Sequence, residues 1–217
     1  MKQYLINHSK GLSAKLMKYP RDWYHKKLAK RNNNSSPTII CNNCTGGVIL
    51  HDLGLRFNSP TINTLFYSFD DFLFFVKNIK AFSNVEMFEI KQDTHSYPVG
   101  GLELNGKVIK IGLVHYRSFL QGKLKWHERF KRIRYNNIYI IYEGGGIEEK
   151  CLNDFAKIPF KKRIYSCTNS YMQNKFAFYQ GHDLYFNWYP GKILDYKHLL
   201  GLKRFLDDFN YISFLNT

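Results

Sequence analysis

Two periodicities of apolar positions alternate along this chain and divide it into strands and helices. Residues 38–41, Thr-Ile-Ile-Cys, form a short β-branched apolar run between Pro37 and the Asn42-Asn43 pair, the pattern of a buried strand. Residues 48–53 fit a short helix closed by Gly54, where a left-handed backbone has no Cβ to strain. Residues 62–67 and 86–90 read as strands. Residues 69–82 repeat apolar side chains at helical spacing through Phe72, Val76 and Ile79, and again at Phe75 and Phe82. Residues 97–104 and 108–115 flank Asn105-Gly106, the strongest short-range hairpin signal in the chain. Residues 118–133 predict a basic helix carrying Trp126, Phe130 and Ile133, and 137–142 an apolar strand. After Gly144-Gly145-Gly146, residues 147–156 predict a helix and 163–167 a strand. Residues 195–209 predict a last helix with Leu199, Leu202, Phe205 and Leu206 facing inward. Strands alternating with helices predict an α/β fold: a three-layer sandwich with a mainly parallel, Rossmann-like sheet plus an antiparallel hairpin.

Length and charge refine this picture. The 217 residues suffice for one substantial core, and 18 Phe and 16 Tyr make that core aromatic. Residues 37–217 are expected to form one α/β domain, with residues 1–36 a basic extension packed on it. Within residues 1–31, Lys2, Lys10, Lys15, Lys18, Arg21, Lys26, Lys27, Lys30 and Arg31 oppose only Asp22. Leu12, Leu16, Met17, Tyr19 and Trp23 make a ragged apolar stripe there, broken by Pro20. Such a segment is either a packed helix with a solvated basic face or a surface that touches anionic membrane. The net charge of +15 favours anionic partners: phosphorylated donors, acidic polysaccharide or lipid headgroups. Nucleic acid is the least favoured of these, because no DNA- or RNA-binding signature is present. The opening residues lack a signal-peptide core and no apolar run approaches a membrane span, so a cytoplasmic location with reduced thiols is the expectation for the four cysteines.

Candidate chemistry centres on Cys44, in the tight turn between the first strand and its helix. Free backbone N–H groups and the helix dipole favour an anion there, so the thiol is expected to have a lowered pKa. In α/β folds the site lies beyond the carboxyl ends of the strands, which places Cys44, His115 and Glu143 together. Cys44 would attack an acyl carbonyl with His115 as base. The N–H groups of Thr45 and Gly46, with the Asn43 amide, would hold the oxyanion, and Glu143 or another acid would orient the imidazole, a third member that the sequence does not assign. His51 is the rival base and His95 a weaker one. Thr45, Gly46, Gly47, His51, Tyr116, Arg129, Arg132 and Glu143 are the candidate substrate-binding residues. Arg129 and Arg132 suit phosphates of a coenzyme A or nucleotide-sugar donor, and the Gly144–Gly146 turn could add phosphate contacts. The bland alternatives are a small buried cysteine in a turn and a hydrogen-bonded histidine at a strand end. Cys41-x-x-Cys44 also has redox spacing, and with Cys151 and Cys167 it could form a zinc site, but no metal is expected. The acidic pairs Asp70-Asp71 and Asp207-Asp208 are adjacent, not the Asp-x-Asp of metal-dependent transferases, and read as helix-surface charge.

The same stretch carries a family likeness. Asn42-Asn43-Cys44-x-Gly46-Gly47, then Leu53-Gly54-Leu55-x-Phe57-x-Ser59-Pro60-Thr61 and Asp71-Phe72, resembles the bacterial exopolysaccharide and capsule biosynthesis protein family, a domain of unknown function. Tyr97-Pro98-Val99-Gly100, His115-Tyr116 with Ser118, Trp126 with Arg129 and Arg132, and Asn137 follow in order. The resemblance runs from about Ile39 to Phe160 and more weakly to the C-terminus. It departs at Cys41, where serine is more usual, and at Thr45, often aromatic. It implies a polysaccharide context. Joined to the chemistry of the turn, it points to an acyltransferase, specifically an O-acetyltransferase using acetyl-coenzyme A and a polysaccharide or lipid-linked sugar acceptor. The alternatives are a glycosyl- or phosphosugar-transferase, or a non-catalytic glycan-binding protein with Trp188 and Tyr189 stacking on sugars beside Pro190-Gly191.

Overall fold

A computed structural model describes residues 13–91, 95–166, 170–181 and 189–217. The first long helix, α1 (Lys18–Arg31), leads into β1 (Thr38–Cys41) and α2 (Thr45–Asp52). Then come β2 (Leu65–Phe66), α3 (Phe69–Lys77), β3 (Phe88–Ile90), β4 (Val99–Leu104), β5 (Lys107–Gly112) and α4 (Phe119–Phe130). The chain continues through β6 (Ile138–Glu143), α5 (Glu149–Ala156), β7 (Lys161–Ser166), β8 (Tyr179–Gly181) and α6 (Tyr211–Leu215). Two sheets result. β1-β6-β7-β8 are all parallel, and β2-β5-β4-β3 are antiparallel.

The α/β expectation therefore holds, and the antiparallel element is larger than a hairpin. Asn105 (φ 52°) and Gly106 (φ 77°) both take the left-handed backbone of a type I′ turn, as their side chains allow, and join β4 to β5. That pair gains β2 and β3 as flanks and becomes a sheet of its own, inserted whole between β1 and β6.

The parallel sheet is apolar on both faces, as its continuous rather than alternating runs demand. Ile40, Ile138, Ile140, Tyr142 and Ile164 face a core built with Phe72, Phe75, Trp126, Leu152, Phe155 and the inner side of the antiparallel sheet. Ile39, Cys41, Tyr139, Ile141 and Tyr165 face a second core with Leu28 of α1, Ile49 and Leu50 of α2, and Leu206, Phe209 and Leu215 near the C-terminus. Helices and strands on both sides of this sheet make the three layers.

Local chemistry moves several predicted boundaries. α2 starts at Thr45, earlier than expected, because Gly46 and Gly47 let it lie against β1: a Cβ at Gly46 would stand 3.1 Å from Ile39 Cγ2. The predicted helix 69–82 stops at Lys77, where the Asn78 side chain donates to the Phe74 carbonyl, and a 3-10 turn Ala81–Asn84 follows. The predicted strand 62–67 shrinks to β2, since Asn63 takes a positive φ of 63°. The predicted helix 195–209 is absent. Tyr196 and Arg204 bridge as antiparallel partners, and Leu199 is 52% exposed rather than inward-facing. The physical reason lies in α1. Arg21, buried, donates to the Leu199 and Gly201 carbonyls at 3.1 Å each and stacks on the Tyr196 ring, holding that segment as a loop. Only the 3-10 turn Phe205–Asp208 and α6 are helical there. The end of the predicted strand at Cys167 lies outside the described residues.

Gly122 tests the packing of α4 on the antiparallel sheet. In an open helix Gly→Ala gains about 1 kcal/mol. Here the new Cβ would meet Leu113 Cδ1 at 2.5 Å and its Cγ at 3.1 Å, with Leu113 fully buried. Gly122→Ala should therefore destabilise the fold, by about 1–3 kcal/mol in urea unfolding, the usual cost of overpacking.

Candidate functional site

A cavity of about 270 Å³ opens beyond the carboxyl ends of β1 and β6. Asn43, Cys44, Thr64, Leu65, Val114, His115, Pro190, Gly191 and Leu194 line it. The strand-to-helix turn after β1 delivers Asn43 and Cys44, and the segment after β5 delivers His115. The structure thus brings Cys44 and His115 from 71 positions apart in sequence to one hollow. His115 is exposed and Cys44 is partly buried.

Glu143, the last residue of β6, organises the floor beneath. It is 2% exposed. Asn42 donates through Nδ2 to the Glu143 carbonyl (2.9 Å) and accepts the Glu143 N–H at Oδ1 (2.9 Å), adding a side-chain rung to the β1–β6 ladder. The Asn43 Nδ2 group donates to the Glu143 carboxylate. Thr45 Oγ1 (3.4 Å), the Gly191 N–H (3.1 Å) and the Ile193 N–H (3.3 Å) do the same. Burial pushes the Glu143 carboxyl up to about 6, and these donors hold it from going higher.

This arrangement corrects the expected chemistry of the turn. The Cys44 thiol is pushed up to about 11, not lowered, first by burial and then by the neighbouring Glu143 carboxylate. The amides that were to activate it are engaged elsewhere. The Thr45 N–H donates to Asn43 Oδ1 at 3.0 Å, and the Gly46 N–H is turned to the sulfur of Cys41. Neither is free for an oxyanion. The Asn43 amide is likewise spent: its Oδ1 also accepts from Cys41 Sγ at 3.4 Å. Glu143 does not orient His115; its acceptors are filled by Asn43, Thr45 and the 191–193 backbone. Gly47, like Gly46, serves close packing, its would-be Cβ 3.2 Å from Ile62.

Several other candidates stand outside the cavity lining. The His51 ring is 79% exposed and pairs with Asp52 at 3.4 Å, so it is displaced as rival base. His95 packs between the Tyr67 and Tyr97 rings. Arg129 is buried. Its Nη1 donates to the Ile62 carbonyl (3.0 Å) and to the Tyr116 hydroxyl, which itself donates to the same carbonyl at 2.9 Å. Arg129 and Tyr116 therefore brace the 57–64 loop from within. Arg132 pairs with Glu128 at 2.8 Å on the α4 surface. At the Gly144–Gly146 turn, Glu148 and Glu149 sit at the start of α5 and repel a phosphate from that helix end. Cys41 is fully buried with its thiol pushed up to about 12, and Cys151 lies in another region, hydrogen-bonded to Asp70. Among the described residues no group of three His, Cys, Asp or Glu is placed to hold a metal. Of the acidic pairs, Asp71 bonds Lys107, and Asp207 caps the 3-10 turn by accepting the Arg204 N–H. Cys167 and Trp188 lie outside the described residues.

Sequence reasoning missed Thr64, Leu65, Val114, Gly191 and Leu194. Thr64 matters most, because its hydroxyl is buried at the cavity wall with no hydrogen-bond partner among the described residues. Nothing in its local pattern distinguishes it from a loop threonine. Gly191 was visible only as part of Pro190-Gly191; its φ of 90° turns the backbone so that its N–H reaches Glu143.

Comparison with known proteins places the whole chain. A family model described as "Domain of unknown function (DUF1919)" matches residues 16–216. An uncharacterized protein of Haemophilus influenzae is 30% identical over 213 residues, covering 97% of this chain and 99% of the relative.

Two predictions follow from the Glu143 floor. With a carboxyl raised from 4.5 to about 6, the folded state holds the proton more tightly than the unfolded chain. Its contribution is therefore fully present below pH 4.5 and is lost as the pH rises through 6, a change of about 2 kcal/mol. Glu143→Gln leaves one amide N–H facing other donors and should cost about 1–3 kcal/mol at pH 7. Its deficit relative to wild type, measured by urea unfolding, should grow on acidification to pH 4.5. The second concerns the thiol. Iodoacetamide should label Cys44 slowly at neutral pH, with the rate still climbing above pH 9, and Glu143→Gln should shift that profile to lower pH by removing the adjacent charge. A midpoint below 8.5 in wild type would contradict the placement of Cys44.

Proposed function

The chain belongs to the DUF1919 family, and from its cavity we propose that it is an acyltransferase, specifically an O-acetyltransferase acting on a capsular or exopolysaccharide unit. The observation that carries this reading is the convergence of Cys44 and His115 on one small cavity. The polysaccharide acceptor rests on the resemblance of the Asn42–Gly47, Leu53–Thr61 and His115-Tyr116 motifs.

Because the Cys44 thiol is raised, little thiolate exists before substrate arrives, and proton removal must accompany attack. His115 takes the S–H proton as sulfur bonds to the acyl carbonyl carbon of a thioester donor such as acetyl-coenzyme A. The carbon–sulfur bond to the donor then breaks, and the departing thiolate receives that proton. In the second half, His115 takes the proton of a sugar hydroxyl attacking the Cys44 thioester and returns it to sulfur. The Thr64 hydroxyl is the unpaired donor at the wall that can meet the carbonyl oxygen, now that the Thr45 and Gly46 amides are engaged. The cavity volume suits the acyl end of a donor, not the whole of a coenzyme. The phosphates would lie outside, where Arg129 is not available to them.

The raised thiol also favours a second route, in which His115 activates the sugar hydroxyl for direct attack on the donor and Cys44 shapes the cavity.

Incubation with acetyl-coenzyme A and purified polysaccharide tests both. Under the covalent route, wild type accumulates one acetyl group on Cys44 by peptide mass spectrometry. Cys44→Ala and Cys44→Ser fold normally yet lose transfer by several orders of magnitude, and His115→Ala adds less than its own effect to Cys44→Ala. Wild-type transfer by Cys44→Ala leaves direct attack. Absence of acetylation by wild type with any acceptor overturns the acyltransferase reading and turns attention to nucleotide sugars.

A further inference from the structure

The most conspicuous surface unused by the cavity lies on α1. Its buried side carries Arg21 and Leu28. On the opposite side Tyr19 and Trp23 lie one helical turn apart, and Leu16 precedes them just ahead of the helix. Leu16, Tyr19 and Trp23 are 63%, 80% and 55% exposed. Aromatic side chains of this size are rarely left outside in a row without a partner.

The charges around this patch share one sign. Lys15, Lys18, Lys26, Lys27 and Lys30 are all exposed, and among the described residues none of them forms an ion pair; Asp22 is the one acid on the helix. Lys27 Nζ lies 3.7 Å over the Trp23 ring, so cation and aromatic are presented together.

We propose that this face of α1 docks on a lipid bilayer carrying anionic headgroups. Trp and Tyr rings prefer the headgroup level of a bilayer, and lysine stems reach past apolar neighbours to place their ammonium groups at phosphates. Lysines near an anionic leaflet are attracted independently of any pocket. An acidic polymer would answer the lysines but leave Leu16 and the outer faces of Tyr19 and Trp23 in water. A bilayer answers both. Among the described residues no helix is long and apolar enough to cross a membrane, so the contact is with the bilayer surface. The inference stands independently of acyl transfer.

Vesicle co-sedimentation of the full chain tests it, with vesicles of phosphatidylcholine alone and of equal parts phosphatidylcholine and phosphatidylglycerol. Wild type should sediment with the anionic vesicles and not with the neutral ones, and rising salt should weaken binding. Tyr19→Ser/Trp23→Ser, both at exposed positions, should keep the wild-type circular dichroism and lose at least about tenfold in partitioning, the scale of removing two buried rings. Lys26→Glu/Lys27→Glu/Lys30→Glu should abolish it. Failure of wild type to bind the anionic vesicles overturns the proposal. So does unchanged binding by the aromatic double variant. Equal binding to single-stranded RNA, with RNA and vesicles unaffected alike by the aromatic change, would mean general charge attraction and would also overturn it.

Discussion

The Glu143 carboxylate closes the second strand of the parallel sheet in a place with almost no water. A buried charge costs several kcal/mol unless donors replace its hydration. Four groups do so here: the Asn43 amide, the Thr45 hydroxyl and the N–H groups of Gly191 and Ile193. They come from the turn after β1, the start of α2 and a segment near the C-terminus. One carboxylate therefore ties two remote pieces of chain, 43–45 and 191–193, to the end of β6, and together these pieces carry Asn43, Cys44, Pro190, Gly191 and Leu194 of the cavity. Asn42 strengthens the junction by pairing with the backbone of the same residue. The cavity wall at 190–194 is held from below, through its backbone, rather than by packing alone.

That solution has a chemical cost for Cys44. A carboxylate close enough to order the turn also opposes formation of a thiolate. The helix amides that could have offset it serve Asn43 and Cys41 instead. The Cys44 thiol therefore keeps its proton at neutral pH. His115, exposed, lines the same cavity.

Much of the fold was legible in the residues. The β-branched run at 38–41, the apolar run at 137–142 and the Asn105-Gly106 turn each carry a local cause strong enough to survive packing. Placing strand ends at one edge of a single sheet accounts for Cys44 and Glu143, after β1 and β6, whereas His115 reaches the cavity from the segment after β5 of the separate antiparallel sheet. What the sequence could not show were long-range hydrogen bonds that override local tendency. The 195–209 segment has helical spacing, but Arg21 claims its carbonyls from nearly the whole chain length away. Arg129 looks like a phosphate ligand by type, yet it serves the Ile62 carbonyl and Tyr116. The pKa of Cys44 looked lowered from the helix start alone, because the carboxylate that raises it arrives from β6. β8, Tyr-Gln-Gly, has too little apolar character to announce itself and exists only as the next edge of the sheet.

The insertion of the antiparallel sheet between β1 and β6 bears on how the chain is made. Ile39 and Ile40 find their partners at Tyr139 and Ile140, so the first strand leaves the ribosome long before its neighbour exists. At elongation rates of about 5–20 residues per second, that interval is on the order of 5–20 s. Through it, an apolar segment with unsatisfied backbone groups waits in an unfinished chain. Meanwhile the strand ladders of β2 to β5 are made among themselves, although their inner side still packs on the parallel sheet and the Phe66 N–H donates to the Asn42 carbonyl. The nascent protein is then an antiparallel sheet whose inner side is still uncovered, preceded by a sticky β-prone stretch. Its vulnerable moment is synthesis rather than maturity, and a chaperone that shelters residues 38–41 would act on this chain before the cavity is assembled.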